Sequence, residues 1–449
     1  MRPARRIAVI GSGIAGLSAA WTLAEPGRSA ETRVTLFEAG DYFGGHTHTV
    51  DVRLPDARGQ MVSHGVDTGF LVYNERTYPN LIQLFAQLDV ATAASDMSFS
   101  VRVPDAFGPG RALEWNGSDL DTVFAQRSNL VRPAFWRMLR EILRFNQLCT
   151  ALAERGEDAE MARPIGDFLD SEGFDAPFRD WYFLPMIGCI WSCPTDQMLR
   201  FPIGTMIRFC HNHGLIQVTK RPQWFTVRGG AKHYVQRMLA RLPDARLGTP
   251  VEKVARVPGG VRLWTQQGSE DFDHVVMACH SDQALALLAD PSAEERRVLG
   301  AIRYHRNRAV LHTDTAVLPE RRKAWAAWNY ERARSRPREQ AAVCLHYLLN
   351  KLQPLPFAQP VIVSLNPVRE PLQVIGEYDY AHPVFDLAAV QAQGQLPALQ
   401  GRRNTWYCGA WTGYGFHEDG LKSGLAVARQ LLDPAGLAAT EPPREVQAA

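Results

Sequence analysis

Apolar and polar positions at the start of the chain alternate in blocks that predict a βαβ unit. An apolar run, Ile7 to Ile10, leads into a glycine-rich turn, and small and apolar residues at helical spacing follow that turn. A second apolar run, Val34 to Phe37, ends at Glu38. A strand, a tight turn, a helix and a second strand in this order are typical of a doubly wound α/β fold with a parallel sheet.

The turn has the spacing GxGxxG, formed by Gly11, Gly13 and Gly16. In a βαβ unit the first glycine permits the turn, the second lets a pyrophosphate approach the backbone, and the third lets the helix pack against the strand. Glu38 lies where an acidic residue can accept hydrogen bonds from a ribose hydroxyl. The whole pattern therefore predicts a dinucleotide-binding domain.

The later pattern divides the chain into interleaved segments. Thr77 to Leu88 has helical apolar periodicity and Ser98 to Val103 alternates like a strand. A longer amphipathic helix is predicted at Pro133 to Ala153, at the start of a mostly helical insertion. Short apolar strands such as Val361 to Leu365 follow Ala301, and a strand, a glycine-rich loop and a helix through Leu432 lie near the carboxyl end. The predicted dinucleotide-binding domain is 1–75, 225–300 and 400–435, the predicted substrate domain is 76–224 and 301–399, and 436–449 is a predicted disordered tail.

Composition excludes several classes of function. With 46% apolar residues, 21% charged residues and a net charge of +2 over 449 residues, the chain is typical of a globular protein that has no nucleic-acid partner. The seven cysteines are odd in number and scattered, which indicates reduced thiols in a cytoplasm. No two of them form a CxxC pair, so a zinc site is not expected and no metal ligand is assigned.

Two stretches have compositions that could indicate membrane insertion or membrane contact. Ile7 to Ala24 contains no charged residue and follows several arginines, yet its glycines, serines and threonine argue against a signal peptide or an anchor. No other stretch is long and apolar enough to span a bilayer, so we expect a cytoplasmic protein without a transmembrane segment. Arg321 to Arg338 interleaves basic residues with tryptophans, and we interpret it as a solvated face, with a peripheral contact at the inner membrane face as the alternative.

A resemblance to a known family emerges beyond Glu38. The motif E-A-x-x-x-x-G-G-x-T at Glu38 to Thr47, following the βαβ unit, resembles the flavin-containing amine oxidoreductase superfamily, which includes monoamine oxidases and phytoene desaturases. Relatives carry arginine after the paired glycines, where this chain has His46. The resemblance implies a discontinuous Rossmann-type FAD-binding domain with an inserted α+β substrate domain, and FAD as the cofactor.

The resemblance also implies which residues contact FAD. Val66 to Phe70 resembles a D-x-G segment that lies close to the flavin, Thr249 to Val251 resembles a segment that meets the adenine, and Thr405 to Gly424 resembles the segment that closes the flavin site. The implied cofactor-binding residues are Gly11, Gly13, Ile14, Ala15, Gly16, Glu38, Ala39, Gly44, Gly45, His46, Thr47, Asp67, Thr68, Gly69, Val251, Gly409, Ala410, His417 and Gly420.

The segment Tyr414 to Gly420 supplies the candidate catalytic residues. In relatives that oxidise amines an aromatic residue guides the amine nitrogen, and the matching position here is Phe416, while Asp419 replaces a glycine. His417 is our first candidate for a catalytic base, with hydrogen bonding to a loop carbonyl as the alternative role. Tyr414 and Phe416 complete the predicted catalytic set. His46 and His48, two residues apart, are expected to contact FAD, and His382 is expected to be structural.

A bacterial subgroup gives the closer resemblance. It shares F-E-A-x-x-x-x-G-G-H-T, found here at Phe37 to Thr47, and Y-G-F-H-E-D-G, found here at Tyr414 to Gly420. Its members are associated with methyltransferases of the cyclopropane fatty acid synthase type, and one resembles the desaturase of methylated and furan fatty acid formation. The resemblance implies dehydrogenation of a methyl-branched unsaturated acyl phospholipid by hydride transfer to flavin N5. An amine or polyamine oxidase, or a flavoprotein partner of a lipid methyltransferase, are the alternatives.

Overall fold

The computed structural model describes residues 4–25, 32–155, 158–215, 222–335 and 342–433 of the chain. It divides into two compact units. The first unit comprises Met1–Gly45, Tyr234–Ala301 and Ala392–Ala449, and the second comprises His46–His233 and Ile302–Gln391. The sequence-based division grouped residues 46–75 with the dinucleotide-binding segments, whereas the structure groups them with the second unit. The predicted tail at 436–449 lies outside the described residues.

The described strands are short, and we number them in chain order. They are β1 (Arg5–Ile10), β2 (Thr32–Phe37), β3 (Thr49–Pro55), β4 (Met61–Asp67), β5 (Tyr73–Asn74), β6 (Thr92–Ser95), β7 (Phe99–Val103), β8 (Leu113–Asn116), β9 (Trp224–Val227), β10 (Ala245–Arg246), β11 (Val251–Val257), β12 (Gly260–Thr265), β13 (Gly268–Phe272), β14 (His274–Met277), β15 (Arg303–His312), β16 (Trp328–Glu331), β17 (Cys344–Leu348), β18 (Ile362–Leu365), β19 (Val374–Val384) and β20 (Thr405–Tyr407).

The described α-helices are numbered in the same way. They are α1 (Ile14–Leu23), α2 (Pro79–Gln87), α3 (Leu120–Val123), α4 (Pro133–Arg155), α5 (Asp158–Met161), α6 (Ile165–Ser171), α7 (Ala176–Phe178), α8 (Leu184–Trp191), α9 (Thr195–Met198), α10 (Ile203–Asn212), α11 (Lys232–Leu239), α12 (Ser281–Leu287), α13 (Ala293–Gly300), α14 (Leu349–Leu352), α15 (Leu387–Gln395) and α16 (His417–Leu432).

The first unit is built on a five-stranded parallel sheet in the order β10-β2-β1-β14-β20. The central strand β1 is apolar because both its faces are covered, and Ile7, Ala8 and Val9 are fully buried. Helix α1 packs closely against α16, since a Cβ atom at Gly424 would lie 2.1 Å from the carbonyl oxygen of Ala15. The predicted βαβ unit is therefore confirmed, and the carboxyl-terminal helix belongs to the same unit.

The second unit contains a seven-stranded sheet in the order β19-β15-β18-β17-β16-β7-β8 and two smaller sheets. Helices α3 to α10 form the predicted helical insertion, whose longest helix, α4, spans Pro133–Arg155. Its phenylalanines pack mainly on one another: the ring of Phe145 lies 5.1 Å from that of Phe183 and 5.4 Å from that of Phe178. These aromatic residues thus form the core of the insertion.

The basic stretch Arg321 to Arg338 is not one continuous surface. Trp328–Glu331 forms β16 in the middle of the large sheet, where Tyr330 is 2% exposed. The last three residues of the stretch lie outside the described residues. Its description as a solvated face is therefore wrong for the strand, because the sheet buries those residues on both sides. Among the residues that the structure describes, no helix combines the length and the apolar character needed to cross a membrane.

Candidate functional site

The glycine turn of the first unit has the geometry of a dinucleotide-binding loop. Gly11 has a φ of +103°, and its amide donates to the carbonyl oxygen of Phe37 over 2.8 Å. A Cβ atom at Gly16 would lie 1.9 Å from the carbonyl oxygen of Gly11, whereas a Cβ atom at Gly13 would have no atom within 4 Å. Gly11 and Gly16 are thus required by the fold itself, while Gly13 leaves its backbone open to a ligand.

Glu38 connects this turn to the paired-glycine loop. Its carboxylate accepts hydrogen bonds from the amide of Ser12 over 2.9 Å and from the amide of Gly40 over 2.8 Å, and also from the Ser12 hydroxyl. The Ser12 hydroxyl oxygen in turn accepts from the amide of Gly44 over 3.0 Å. Ser12 was not predicted as a site residue, although its position inside the GxG turn was the available signal. An acid at the end of β2, an open backbone and a helix start without charged residues together fit a dinucleotide.

Asp419 organises the loop that precedes α16. Its Oδ2 atom accepts hydrogen bonds from the amides of Tyr414 and Phe416, each over 3.0 Å. Burial raises the pKa of the Asp419 carboxyl to about 6, and these two amides act in the opposite direction. A side chain at Gly413 would collide with Asp419, because a Cβ atom there would lie 2.5 Å from Oδ1. The acidic residue in place of a glycine therefore holds Tyr414 and Phe416 in position.

His417 begins α16 and pairs with a residue that sequence reasoning missed. Its Nε2 atom lies 2.7 Å from the hydroxyl oxygen of Tyr234, which is fully buried in α11. The two rings meet edge to face with centroids 5.9 Å apart. Nothing in the sequence near either residue indicates this pair, since they are 183 positions apart. The pair fixes the orientation of the imidazole at the amino end of a sixteen-residue helix.

Other predicted cofactor residues of the first unit lie around these two loops. Gly420 faces α1, since a Cβ atom there would lie 2.8 Å from Cγ2 of Ile14. Gly409 and Ala410 follow β20 directly, and the Gly409 amide donates to the Ser423 hydroxyl over 2.9 Å. Val251 is the first residue of β11, beside a register irregularity, and Ala39 follows Glu38 at the surface. The first unit therefore contains both the GxGxxG turn near the amino end of the chain and the segment Thr405 to Gly424 near its carboxyl end.

In the second unit, Asp67 is a buried anchor. Its carboxylate accepts from the Ala231 amide over 2.9 Å, from Gln353 Nε2 over 2.6 Å and from the Thr49 hydroxyl. Burial raises the pKa of Asp67 to about 7, although all three hydrogen bonds favour the charged form. The carboxylate of Asp67, a predicted cofactor residue, is thus hydrogen-bonded to three separate segments of its own unit.

Two histidines meet two tyrosines close to Asp67. The hydroxyl of Tyr380 lies 3.1 Å from His48 Nδ1 and 2.6 Å from the Thr68 hydroxyl. The ring of His48 meets Tyr378 edge to face with centroids 4.7 Å apart, and that of His46 lies 5.1 Å from Tyr380. We call His46, His48, Tyr378 and Tyr380 the histidine–tyrosine cluster. The tyrosines alternate along one face of β19, which a strand pattern could have revealed.

Three other predicted residues surround this cluster. His382, expected to be structural, lies with its ring 5.4 Å from that of His46 and its Nδ1 3.2 Å from the side-chain nitrogen of Asn307. Gly69 allows close packing, since a Cβ atom there would lie 2.3 Å from the carbonyl oxygen of His46. Thr47 is buried beside it. The second unit therefore gathers His46, Thr47, Asp67, Thr68 and Gly69.

Comparison with known proteins identifies the family. Residues 14–326 match the family model described as flavin containing amine oxidoreductase. The chain belongs to this family. A carotenoid phi-ring synthase of Streptomyces griseus is 34% identical over 302 residues, which is 63% of this chain and 54% of that protein. The chain thus spans about half the length of this curated relative.

Several solved structures share the fold of this chain. A CLA-producing fatty acid isomerase from P. acnes matches with a TM-score of 0.66 and 17% identity, covering 95% of this chain and 98% of the other. Cyclohexylamine oxidase from Brevibacterium oxydans matches with a TM-score of 0.64 and 15% identity, covering 96% of this chain and 100% of the other. Putrescine oxidase also matches, with a TM-score of 0.64 and 14% identity, covering 96% of this chain and 99% of that chain.

Membership of the flavin containing amine oxidoreductase family confirms the resemblance that the two motifs indicated and agrees with FAD as the cofactor. The residues of the first unit that would hold FAD are the open backbone at Gly13 and the carboxylate of Glu38, because they fit a pyrophosphate and a ribose. The amino end of α16 adds a positive helix terminus, which favours negative charge.

Proposed function

We propose that this protein dehydrogenates a hydrophobic acyl chain, and that its substrate is a methyl-branched unsaturated fatty acyl phospholipid. One carbon of the chain loses a hydride and its neighbour loses a proton, so that a new carbon–carbon double bond forms. When bound, FAD supplies the hydride acceptor at N5. The protein has to reach the lipid, position the carbon and take up the proton. A lipid methyltransferase is the partner class that this proposal implies, because it would supply the methyl branch.

An exposed apolar surface in the second unit carries the lipid proposal. Of the thirteen large apolar side chains that are exposed among the described residues, five lie between Leu120 and Leu143. Leu120 and Val131 are 79% and 83% exposed, and Trp136 is 49% exposed. Trp136 holds the turn before α4, since its Nε1 donates to the carbonyl oxygen of Leu130 over 2.9 Å. Such a concentration of exposed apolar side chains marks an interaction site.

Basic side chains accompany these apolar residues, and two of them, Arg127 and Lys323, pair with the carboxylate of Asp121. Trp136, Arg140 and Leu143 occupy positions i, i+4 and i+7 of α4 and therefore share one face of that helix. Lys323 lies beside α3, with its Nζ 2.8 Å from an Asp121 carboxylate oxygen. We call this region the apolar–basic surface; its members are Leu120, Arg127, Leu130, Val131, Trp136, Arg137, Arg140, Leu143 and Lys323. Apolar groups that enter a bilayer together with cations that meet anionic head groups are the recognised means of peripheral lipid binding.

The energetics favour a protein that contacts the membrane. Extracting about ten methylenes of an acyl chain from a bilayer into water would cost on the order of 8 kcal/mol, at roughly 0.8 kcal/mol per methylene. An enzyme whose surface rests on the bilayer avoids exposing the chain to water. The apolar–basic surface belongs to the predicted substrate domain, 76–224 and 301–399, within the second unit.

The Tyr234–His417 pair supports the chemical part of the proposal. An imidazole titrates near neutral pH and can accept the proton that leaves the carbon next to the hydride donor. The buried Tyr234 hydroxyl, 2.7 Å from Nε2, holds the ring in one orientation. Phe416, which lies next to His417 at the start of α16, presents an apolar side chain suited to an acyl chain rather than to a polar head group. His417 is thus the base that we propose.

The related proteins are compatible with this proposal. The fatty acid isomerase of P. acnes shows that the same fold serves a protein named for action on fatty acids. The curated relative, a carotenoid phi-ring synthase, is named for another hydrophobic product. Both names concern those proteins, and the proposal for this chain rests on its own surface and its own residues.

A second candidate function is oxidation of an amine. Tyr378 and Tyr380 project from one face of β19 with ring centroids 6.5 Å apart, and paired aromatic rings can guide an amine nitrogen. The cyclohexylamine and putrescine oxidases have the same fold. The histidine–tyrosine cluster is the observation that supports amine oxidation as a second candidate function.

An anaerobic flavin titration separates the two candidates. The FAD-loaded protein is mixed with methyl-branched monounsaturated phospholipid or with a panel of primary and secondary amines, and flavin absorbance is recorded. We expect the lipid to bleach the flavin and the amines to leave it oxidised. His417→Gln should slow bleaching by about 10²-fold, the usual contribution of a general base, when the rate is normalised to the amount of bound flavin.

The titration can also refute the proposal. Bleaching by an amine alone would assign the protein to amine oxidation and give the histidine–tyrosine cluster a substrate role. An intact flavin that neither class reduces, together with stable co-purification of a methyltransferase, would favour the flavoprotein-partner alternative. Mass spectrometry of the lipid should show a loss of two hydrogens per reduced flavin.

Val131→Asp tests the apolar–basic surface. Val131 is 83% exposed, so the substitution should leave folding intact while placing a negative charge against the membrane. We expect association with anionic vesicles of phosphatidylcholine and phosphatidylglycerol to weaken by about tenfold, because an apolar contact is lost and a repulsion is added. Co-sedimentation at two salt concentrations measures the effect, and wild-type binding should decrease as salt increases.

Met61→Asp is the matched control for that experiment. Met61 is also exposed, at 53%, but it is the first residue of β4 and is not a member of the apolar–basic surface. This variant should bind vesicles like the wild type. Equal losses in the two variants, or equal binding to neutral and anionic vesicles, would contradict the assigned surface.

A further inference from the structure

Three potential metal ligands meet on one face of the large sheet of the second unit. Cys344 and His346 alternate along β17, so both side chains point to the same side. Glu331 in β16 is the direct partner of Cys344 in the antiparallel pairing. Glu331, Cys344 and His346 are 8%, 2% and 1% exposed. We call them the β16–β17 cluster, and neither the flavin motifs nor the proposed reaction uses them.

The distances within the cluster match those between ligands of one tetrahedral ion. His346 Nε2 lies 3.4 Å from Cys344 Sγ and 3.3 Å from Glu331 Oε2, and all three ligand atoms lie within 4.8 Å of one another. Bonds of about 2.3 Å to sulfur and about 2.0 Å to nitrogen and oxygen place neighbouring tetrahedral ligands about 3.3 to 3.6 Å apart. Small inward movements of these side chains would therefore complete the coordination geometry.

Outer hydrogen bonds orient two of the ligands. The Ser364 hydroxyl oxygen lies 2.6 Å from His346 Nδ1 and 2.7 Å from His312 Nε2. A hydroxyl oxygen has two acceptor lone pairs, so Ser364 can accept from both rings, which leaves the Nε2 lone pair of His346 for a metal. The Arg102 guanidinium binds Oε1 of Glu331 and leaves Oε2 facing the cluster. Such outer partners are typical of protein metal sites.

The surrounding charges leave room for a divalent cation. The ion-pair network next to the cluster contains the guanidinium groups of Arg102 and Arg321 and the carboxylates of Glu114, Glu320 and Glu331. Two positive and three negative groups carry a net charge of −1. A divalent ion together with the cysteine thiolate adds +1 and brings this sum to zero, although the excess negative charge belongs to Glu320, whose side chain is 73% exposed.

We propose that the β16–β17 cluster binds a structural Zn²⁺ ion through Glu331, Cys344 and His346. Thiolate, imidazole and carboxylate are zinc ligands, and burial fits a structural rather than a catalytic site. Binding releases the thiol proton of Cys344 and forms the zinc–sulfur bond, with no change of oxidation state. The fourth ligand is water, since no other described His, Cys, Asp or Glu side chain offers a ligand atom within 4.8 Å of these three.

The metal content of the FAD-loaded protein tests this proposal. Protein from zinc-supplemented cultures is dialysed against a weak chelator, and zinc is measured by mass spectrometry. We expect about one zinc ion per chain, with Cys344→Ser and His346→Gln each lowering the content at least about tenfold. Cys210→Ser is the matched control, because Cys210 is an equally buried cysteine in α10 outside the cluster. This variant should keep its zinc.

A second measurement does not depend on the folding of any variant. Wild-type protein produced with Co²⁺ in place of zinc should show thiolate-to-cobalt charge transfer and the visible bands of a tetrahedral site. Flavin content should be the same with and without the metal, which separates this test from that of the proposed reaction. Absence of both stoichiometric zinc and the cobalt spectrum would overturn the proposal and leave a proton on His346, shared with Glu331. Zinc retained by Cys344→Ser and His346→Gln would also overturn it.

Discussion

Gly13→Leu is expected to yield a folded, colourless protein. A Cβ atom at Gly13 would meet no atom of the chain within 4 Å, and the φ of −61° is open to any residue. The side chain would instead occupy the space through which the pyrophosphate approaches the backbone. FAD content should fall below about one-tenth of the wild-type value, because the pyrophosphate can reach the backbone of this turn only through the space that the leucine side chain would fill. The ratio of flavin absorbance to protein absorbance measures the effect.

Two further glycine variants separate cofactor loss from unfolding. Gly394→Leu changes an exposed glycine in α15 that also has no atom within 4 Å, so this variant should remain yellow. Gly16→Ala should fail to fold, since its Cβ would lie 1.9 Å from the Gly11 carbonyl oxygen. The thermal midpoint of Gly13→Leu should equal that of wild-type protein stripped of FAD, because bound ligand itself stabilises the native state. An FAD-loaded Gly13→Leu protein would disprove the assignment.

Asp67→Ala is expected to be the most destabilising single change outside the cofactor loops. The substitution would leave the Thr49 hydroxyl, the Ala231 amide and the Gln353 side chain without their shared acceptor in a buried position. Each buried donor that is left without an acceptor typically costs about 1 to 3 kcal/mol of the free energy of unfolding. Urea unfolding followed by circular dichroism measures the loss.

Asp51→Asn is the control for Asp67→Ala. Asp51 lies in β3 and pairs with Lys232, but its side chain is 62% exposed, so the loss should be less than about 1 kcal/mol. Equal losses of unfolding free energy in the two variants would show that the hydrogen bonds of Asp67 do not stabilise the segments that they connect. FAD content should also be measured, because the sequence motif predicted a cofactor role for Asp67.

The titration of Asp67 predicts a pH dependence of stability. Burial raises the pKa of Asp67 in the folded protein to about 7 from an ordinary value of 3.8, so the folded state favours the protonated form. The stabilising contribution of this group is therefore fully present below about pH 4 and is lost as the pH rises through about 7. The stability advantage of the wild type over Asp67→Asn should narrow between pH 5 and pH 8. A widening advantage would mean that hydrogen bonding outweighs burial.

Much of the first unit could be predicted from sequence because its constraints are local. Gly11 and Gly16 are required by a turn and a packing contact only a few residues away, and their spacing is visible in the chain. The helix predicted to run through Leu432 does end there, at the end of α16. The central position of β1 explains the apolar character of Ile7 to Ile10, since a strand covered on both faces needs no polar side.

Residues that act through distant partners could not be predicted. Tyr234 meets His417 across 183 positions, and Asp67 meets Gln353 across 286. No local spacing encodes such pairs, because they exist only when strands and helices from separate segments pack together. The β16–β17 cluster, which we propose as a zinc site, likewise combines a Cys-x-His alternation with an acid from the neighbouring strand, and the spacing of the cysteines alone cannot reveal such a combination.

The sequence by itself determined the family, the cofactor and the dinucleotide-binding unit, since glycine spacing and apolar periodicity report directly on backbone geometry and burial. The tertiary structure alone decided which polar side chains share a site. Hydrogen bonds and ion pairs depend on distances of a few ångströms between segments far apart in the chain, and only packing sets those distances. The histidine–tyrosine cluster, the apolar–basic surface and the β16–β17 cluster all arise at this level.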